Sequence, residues 1–253
     1  LLLMASIAKL RRHFDVVAIN DLATPEQLHY AFKYDSIHSI YPGEVILEGK
    51  TMTIDGDPFQ VLSEPVPAKL PWSELRVDYV VESSGQFRKL DQLQTHLDAG
   101  AKRVLVKVPT KDPLESTVVM GVNDHVITKD ARIISNASCT TNCAAPVAKV
   151  LQDNFDIVRG LMTTVHAYTS DQRLIDAPHA GDLRRSRNAA TNIVPTSTGV
   201  ARSIGQVMPE LEDKLDGLAM RVPVADGSVV DLTIELKSNA TVGSINLAMQ
   251  TAA

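Results

Sequence analysis

The order of strand and helix patterns changes near residue 138, and this change limits the folds open to the 253-residue chain. Before that point, apolar runs typical of buried strands alternate with helical periodicity. Strands are predicted at 16–20, 78–82 and 103–108, helices at 24–32 and 87–99, and a hairpin at 45–61 that turns at Asp55-Gly56. Thr24 followed by Pro25 is a typical helix start. Because alternating strands and helices favour parallel pairing, we predict an α/β fold with a doubly wound sheet.

Long runs of alternating apolar and polar residues replace this pattern in the second half of the chain. Strands are predicted at 158–166, 217–224 and 228–237, and helices at 199–208 and near 241–253. Long alternating strands indicate an antiparallel sheet with one solvated face. We therefore predict two domains. Residues 1–138 form the doubly wound domain, and residues 139–253 form an α+β domain with a mostly antiparallel sheet.

A cysteine lies where a predicted strand at 132–135 passes to a predicted helix at 143–151. The sequence there, at 135–143, is Ser-Asn-Ala-Ser-Cys-Thr-Thr-Asn-Cys. The first amides of a helix lack intrahelical partners and carry partial positive charge, which favours a reactive thiolate at Cys139. Hydroxyl groups on both sides of it, at Ser138 and Thr140, add donors for an oxyanion or a phosphate oxygen.

Three structural alternatives exist for Cys139 and Cys143. Metal binding is disfavoured, and no metal site is predicted, because these are the only cysteines and no His or carboxylate lies beside them at zinc-like spacing. A disulfide is disfavoured because side chains four apart on a helix have Cβ atoms about 5–6 Å apart. A small apolar core residue is the third alternative, which we predict for Cys143 and which chemistry alone leaves open for Cys139.

A histidine that could activate the thiol follows downstream. Residues 160–168 form a β-branched run that predicts a strand, with His166 near its end and a polar loop after it at 169–187. An imidazole within hydrogen-bond reach of the sulfur would activate Cys139. The sequence separation neither supplies nor excludes that contact, and a single histidine is more often structural.

Several motifs together resemble phosphorylating glyceraldehyde-3-phosphate dehydrogenases. In the second half they are the nonapeptide at 135–143, His-Ala-Tyr-Thr at 166–169, Asp-Leu-Arg-Arg at 182–185, Pro-Thr-Ser-Thr-Gly at 195–199 and Arg-Val-Pro-Val at 221–224. In the first half they are Ala-Ile-Asn-Asp at 18–21, Lys-Tyr-Asp-Ser at 33–36, Leu-Pro-Trp at 70–72 and Glu-Ser-Ser-Gly at 82–85. The resemblance covers nearly the whole chain, and it implies an NAD-binding domain at 1–138 and a catalytic domain at 139–253.

The resemblance implies NAD-dependent oxidative phosphorylation of D-glyceraldehyde 3-phosphate to 1,3-bisphosphoglycerate. Cys139 would form a thiohemiacetal and then a thioester, with His166 as the base. Two anion sites are then expected, one for the substrate phosphate and one for the attacking inorganic phosphate. The residues that match the family are Thr169 and Arg221 for the first site, and Ser138, Thr140, Thr198 and Gly199 for the second.

Dinucleotide binding is expected to depend on Asp21, which follows the first predicted strand. A carboxylate there can accept from adenosine ribose hydroxyls and would repel a 2′-phosphate, which favours NAD over NADP. Without the resemblance, Asp21 would more often cap a turn. Asn20, Ser84 and Gly85 join the cofactor site by resemblance. NADP use stays open, because Ala177-Pro178 lies in a loop that in the family approaches the cofactor of a neighbouring subunit.

The composition indicates neither nucleic-acid nor membrane binding, since the formal charge is −5 and the apolar start, residues 1–8, is too short to span a bilayer. We predict that this start is helical. The arginines near residue 185 are expected to pair with carboxylates within or between subunits. Two cysteines in the chain favour a reducing compartment, so we expect a cytoplasmic location, and the resemblance implies a homotetramer.

The sequence departs from the family pattern at both ends. It has no Gly-rich turn for the pyrophosphate, and it stops at Ala253 inside a predicted helix, so we expect a chain truncated at both ends. Two alternatives follow. One is the related erythrose-4-phosphate dehydrogenase, which differs in the segment after the histidine. The other is a non-catalytic fragment or binding module, because the pyrophosphate-binding turn is missing.

Overall fold

The computed structural model describes residues 13–114 and 116–253. The helix predicted from residues 1–8 lies outside the described residues. The strands are β1 Ala18–Asn20, β2 Tyr34–Asp35, β3 Ser39–Ile40, β4 Val45–Glu48, β5 Thr51–Ile54, β6 Asp57–Leu62, β7 Tyr79–Glu82, β8 Arg103–Val106, β9 Ile133–Ser135, β10 Ile157–Ala167, β11 Val194–Ser197, β12 Leu215–Val222 and β13 Val229–Leu236. The helices are α1 Pro25–Lys33, α2 Leu90–Asp98, α3 Cys139–Phe155, α4 Val200–Val207 and α5 Val242–Ala252. The α/β class predicted from the sequence is confirmed.

The described residues divide into two compact units, of which the first holds residues 13–80 and 91–104. Its larger sheet has the order β1-β6-β5-β4, with β1 and β6 parallel and the other pairs antiparallel. The predicted hairpin does turn at Asp55-Gly56. It is nevertheless a three-stranded meander, because a second turn at Gly49, whose φ is 61°, separates β4 from β5.

Helix α1 begins as the sequence predicts. Thr24 is the N-cap, its side chain accepts from the Gln27 amide, and the Gln27 side chain accepts from the Thr24 amide. Pro25 occupies the first turn, where its missing N–H removes no helical hydrogen bond. The helix buries Leu28 and Phe32 against a core formed with strands of the same unit, namely Met52, Ile54, Phe59 and Val61.

The second unit holds residues 81–90 and 105–253. Its main sheet has the order β11-β12-β10-β13. As predicted, antiparallel pairs predominate, at β10–β13 and β11–β12, although β10 and β12 are parallel. Apolar side chains of α3, α4 and α5 form one core with this sheet, which includes Ala144, Ala148, Ile157, Met162, Ile204 and Leu215. Strands β7, β8 and β9 form a three-stranded sheet in that order, and the division into units falls within β7 and β8.

Helix α3 corrects two predictions. It begins at Cys139 rather than at residue 143, because Ser138 caps it and offsets the weak helix propensity of the Thr-Thr-Asn run. Cys143 is exposed rather than part of the core. The helix buries the face that carries Thr141, Ala144 and Ala145, and residue 143 points away from that face. Within the described residues, no helix has both the length and the apolar character that a membrane crossing requires.

Candidate active site

A short strained loop sets the position of Cys139. Strand β9 ends at Ser135, and Ala137 then adopts a φ of 53° while its side chain is fully buried. A left-handed conformation at a residue other than glycine costs on the order of 1 kcal/mol and persists only where neighbours enforce it. Here the Ala137 amide donates to the Ser135 hydroxyl, which donates to the Val108 carbonyl. The sharp turn places Cys139 in the first turn of α3.

Side-chain hydrogen bonds hold this loop against the helix. The Ser138 hydroxyl accepts from the Thr141 amide at 3.1 Å and lies 2.7 Å from the buried Thr141 hydroxyl. The Asn142 side chain donates to the carbonyls of Asn136 and Ser138 at 2.8 and 2.9 Å. Sequence reasoning did not single out Asn142, although an amide one turn into a helix, just after a nucleophile, is suited to bracing the preceding loop.

The sulfur of Cys139 lies 3.4 Å from Nε2 of His166. Cys139 is exposed, whereas His166 is half-buried near the end of β10. The two residues are 27 apart in sequence, and the turn after β9 brings them together. An accessible sulfur beside an imidazole is the arrangement that nucleophilic thiol chemistry requires.

Arg221 lies on β12 directly across from His166 in the parallel pairing. Its Nη1 is 2.7 Å from His166 Nδ1 and 3.2 Å from the Ala167 carbonyl oxygen. That carbonyl oxygen is itself 2.7 Å from Nδ1. Thus the same imidazole meets the sulfur through one ring nitrogen and the guanidinium through the other.

The electrostatic environment of Arg221 favours an anion. Burial lowers the pKa of its guanidinium, the positive charge of Arg185 lowers it further, and the charge of Cys139 raises it. The Nε of Arg221 is buried and has no hydrogen-bond partner among the described residues. An unsatisfied buried donor near a second cation is the setting in which a bound oxyanion is most stabilising. Arg185 is a contributor that the sequence pattern did not assign to the site.

The arginines near residue 185 pair with carboxylates in the same chain, as predicted. Arg185 Nη1 contacts the Asp171 carboxylate. Arg184 forms two hydrogen bonds with Asp182, at 3.0 and 2.9 Å, which hold the pKa of that carboxyl below its ordinary value. These ion pairs hold the polar loop that follows β10. Asp182, Arg184 and Arg185 all belong to the motif Asp-Leu-Arg-Arg at 182–185.

The remaining residues predicted to bind phosphate lie at ends of elements in the same unit. Thr140 follows Cys139, and its hydroxyl is 3.9 Å from the sulfur. Thr169 is exposed just after β10. Gly199 is the N-cap of α4, and the Thr198 hydroxyl accepts from the Val200 amide at 3.3 Å. Among the described residues, no hydrogen bond joins Thr169, Thr198 or Gly199 to the Cys139 and His166 pair.

Two predicted cofactor residues lie in the first unit, at the end of β1. Asn20 exchanges two hydrogen bonds of 2.9 Å with the Glu64 backbone, so its amide fixes the chain. Asp21 is exposed, and one of its oxygens accepts from the Ala23 amide at 2.9 Å. A carboxylate presented at the carboxyl end of a parallel strand fits the ribose hydroxyls of a dinucleotide.

The other two cofactor residues lie in the second unit, just after β7. The Ser84 amide and hydroxyl both donate to the Glu82 carboxylate, at 2.7 and 2.5 Å. Gly85 has a φ of 73°, and a side chain added there would meet no atom within 4 Å. The backbone conformation therefore favours glycine, and the surface above it is open.

These features define what the second unit can do chemically. The amides at the start of α3, at Cys139 and Thr140, have no acceptor among the described residues and are therefore available to donate to an oxyanion. With an accessible sulfur, an imidazole and a guanidinium, the site suits attack on a carbonyl whose substrate also carries an anionic group.

Comparison with known proteins gives one result for both halves of the chain. The family model described as glyceraldehyde 3-phosphate dehydrogenase, NAD binding domain, matches residues 2–90, and the one described as the C-terminal domain of the same enzyme matches residues 138–253.

Individual relatives agree with the family models. The chain is 54% identical to a glyceraldehyde-3-phosphate dehydrogenase of Mycobacterium avium, over 94% of this chain and 70% of that protein. It is 50% identical to the enzyme of that name from Geobacillus stearothermophilus, over 94% of this chain and 71% of that protein. It is 48% identical to the Wickerhamomyces ciferrii enzyme, over 99% of this chain and 75% of that protein.

Proposed function

This chain belongs to the glyceraldehyde-3-phosphate dehydrogenase family, and we propose that Cys139 and His166 carry the family's reaction in it. The activity is the NAD-dependent oxidative phosphorylation of D-glyceraldehyde 3-phosphate to 1,3-bisphosphoglycerate. The observation that carries the residue assignment is the 3.4 Å separation of the Cys139 sulfur and His166 Nε2. Relatives of about 50% identity bear this enzyme's name, and none of those described is an erythrose-4-phosphate dehydrogenase.

In the first stage, the thiolate of Cys139 attacks the aldehyde carbon and forms the C–S bond of a thiohemiacetal. The first amides of α3 stabilise the developing alkoxide, and His166, which holds the proton lost by the Cys139 thiol, gives that proton to the alkoxide to form the hydroxyl. His166 then takes the hydroxyl proton as the C–H electron pair leaves, and the product is a thioester on Cys139. NAD, when bound, supplies the acceptor for that hydride.

In the second stage, an oxygen of inorganic phosphate attacks the thioester carbon. The C–S bond breaks, the acyl phosphate departs, and Cys139 returns as thiolate. The start of α3 again stabilises the tetrahedral oxyanion. The thioester holds the free energy of the oxidation. Hydrolysis would release that free energy, whereas attack by phosphate retains it in the acyl phosphate product.

Two anion sites serve these stages in our proposal. Arg221 and Thr169 hold the phosphate of the substrate, and Arg221 brings a half-buried guanidinium with an unpartnered Nε to that task. The attacking phosphate contacts the hydroxyls and amides at the starts of α3 and α4, at Ser138, Thr140, Thr198 and Gly199. The charge of Arg185, which lowers the pKa of Arg221, adds to the attraction for both anions.

The cofactor is NAD, in agreement with the NAD binding domain model. We propose that Asp21 accepts from the adenosine ribose, that Asn20 keeps the strand end in place, and that the open backbone at Ser84 and Gly85 lies against the dinucleotide. The exposed carboxylate of Asp21 disfavours a 2′-phosphate, so NADP should bind more weakly.

The larger organisation is also part of the proposal. We divide the chain into an NAD-binding domain at 1–138 and a catalytic domain at 139–253, supported by the start of the second family match at residue 138. We propose a homotetramer located in the cytoplasm. Light scattering of the purified protein would test the tetramer.

Substitution of the two cysteines tests the catalytic assignment. Cys139→Ser should reduce phosphate-dependent NADH formation at least about a thousandfold, since an alcohol replaces the thiolate nucleophile. Cys143→Ser is the matched control on the same helix, and it should keep most of the activity because its side chain is exposed. Substantial activity in Cys139→Ser would refute the assignment. Comparison of glyceraldehyde 3-phosphate with erythrose 4-phosphate identifies the preferred aldehyde.

A further inference from the structure

An imidazole in the polar loop after β10 contacts both of the acidic residues that surround Arg185. Nδ1 of His179 accepts from the Gly181 amide at 3.1 Å and from the Asp182 amide at 3.0 Å. On the other side of the half-buried ring, Nε2 lies 3.5 Å from the Asp171 carboxylate. Because backbone amides only donate hydrogen bonds, Nδ1 is an acceptor in this arrangement. The ring proton is therefore on Nε2, which faces the carboxylate.

Arg185 is a cation that is held close to a second cation. The two guanidinium groups are near enough for the charge of Arg185 to lower the pKa of Arg221, so they repel each other. Nη1 of Arg185 contacts the Asp171 carboxylate, and its Nε lies 3.9 Å from the Asp182 carboxylate. These negative charges offset the repulsion and keep the Arg185 guanidinium in its half-buried position.

Carboxylates beside an anion site also work against that site unless they are directed at cations. A carboxylate that turned away from Arg185 would leave the arginine unpaired and would repel a bound phosphate. His179 limits that freedom on both sides. Its Nε2 faces one oxygen of Asp171, and the other oxygen contacts Arg185. Its Nδ1 holds the amide of Asp182, and so fixes the backbone from which the second carboxylate extends.

We propose that His179 is a positioning residue for Arg185, which keeps that positive charge beside Arg221 and thereby sets the affinity of the site for phosphate. The role requires an acceptor at the δ position and a donor at the ε position of one side chain, and an imidazole supplies both. The inference rests on the proposed function, since the anions that Arg185 attracts there are the substrate phosphate and inorganic phosphate.

Binding of inorganic phosphate to the purified protein, measured by phosphorus NMR without aldehyde or NAD, tests this role. His179→Leu removes both polar contacts and should raise the Kd for phosphate at least about tenfold. His179→Asn keeps an acceptor for the two amides but does not reach Asp171, and it should raise the Kd about threefold. An unchanged Kd in His179→Leu would overturn the inference.

The first unit offers a matched control. His38 forms an exposed pair with Asp35, in which its Nδ1 lies 3.1 Å from the carboxylate. His38→Leu therefore removes the same kind of side chain and the same kind of contact. The Kd for phosphate should stay within about twofold of wild type, since exposed ion pairs contribute little to stability. A loss of phosphate binding as large as that in His179→Leu would show that the effect is not specific to His179.

A double-mutant cycle separates a role through Arg185 from general support of the loop. Arg185→Gln should itself weaken phosphate binding. In that background His179→Leu should raise the Kd by less than about a further twofold, because the charge that it positions is gone. Equal factors in the two backgrounds would show that His179 acts independently of Arg185 and would overturn the inference. If His179→Leu does not fold, His179→Asn, which keeps the amide contacts, replaces it in the same cycle.

Steady-state kinetics relate this role to turnover. In His179→Leu the KM values for phosphate and glyceraldehyde 3-phosphate should rise with the Kd, whereas kcat and the KM for NAD should stay within about twofold. A lower kcat with unchanged KM values for the two anions would contradict the positioning role. If wild-type protein forms NADH but the His179 variants bind phosphate as it does, the positioning role fails and the proposed function stands. If the cycle behaves as expected but wild-type protein forms no NADH, the proposed function fails and the positioning role stands.

Discussion

Replacement of Ser138 should separate two tasks that its hydroxyl combines, capping α3 and keeping the start of that helix suited to anions. In the structure the hydroxyl accepts from the Thr141 amide at 3.1 Å and lies 2.7 Å from the Thr141 hydroxyl, which is fully buried. Ser138→Ala removes both contacts. Loss of an N-cap costs about 1 kcal/mol, and a buried hydroxyl left without its partner costs about 1 kcal/mol or more.

The expected loss in the free energy of unfolding is therefore about 2 kcal/mol for Ser138→Ala, which corresponds to a fall in Tm of roughly 4–8 °C for a chain of this size. Ser138→Thr keeps the hydroxyl and should remain within about 0.5 kcal/mol of the wild type. Thermal and urea unfolding, measured on all variants at one protein concentration, provide the comparison. A Tm for Ser138→Ala within about 1 °C of wild type would refute the capping argument.

Ser138→Asp completes the series. Aspartate caps helices as well as serine does, so stability should be retained. Its carboxylate would stand beside Cys139, where two like charges about 4 Å apart repel by about 1 kcal/mol even in water. Reaction with iodoacetamide, which follows the thiolate, should slow at least about fivefold, and NADH formation should fall at least as much. A stable Ser138→Asp protein with wild-type alkylation and turnover would show that charge at this helix start does not matter.

Three further substitutions test the packing and the electrostatics. Gly217→Ala would place a Cβ 2.5 Å from the Met162 carbonyl oxygen in the neighbouring strand, so it should destabilise by about 1–3 kcal/mol in urea unfolding; an unchanged midpoint would contradict the close approach of β10 and β12. Gly243→Ala lies on an open face of α5 and should stabilise by up to about 1 kcal/mol in the same assay, and a loss of stability would show that the position is crowded. Asp182 has a pKa lowered by Arg184, so its stabilising effect is present above its ordinary value of 3.8 and is lost as the pH falls through the folded value. Asp182→Asn should therefore lower stability at neutral pH and flatten the loss of stability as the pH falls below the ordinary value of 3.8; parallel pH curves for the two proteins would refute this.

Local signals in the sequence predict local structure well in this chain. The start of α1 follows from Thr24 and Pro25, because a cap and a first-turn proline act within one turn. Helix α3 begins four residues before its predicted start, because the Ser138 cap offsets the weak helix propensity of residues 140–142. The turn at Gly49 is not predicted by the sequence, because an isolated glycine within a strand pattern also suits a bulge.

The site was predictable only in part, because its contacts join distant segments. Motifs assigned Cys139, His166 and Arg221 to one family site, but nothing local shows that His166 meets the sulfur with one nitrogen and Arg221 with the other. That geometry arises from the parallel register of β10 and β12, whereas the sequence pattern predicts a mostly antiparallel sheet and does not indicate which strands pair. The influence of Arg185 on Arg221 likewise depends on folding of the polar loop.

The most direct test of the central claim is a reaction without phosphate. Purified protein is mixed with excess glyceraldehyde 3-phosphate and NAD, NADH is followed by absorbance, and Cys139 is then examined by peptide mass spectrometry. The thioester mechanism predicts a burst of up to one NADH per chain, an acyl group on Cys139, and steady turnover only after phosphate is added. Steady phosphate-independent NADH formation, or a burst that leaves Cys139 unmodified, would contradict that mechanism.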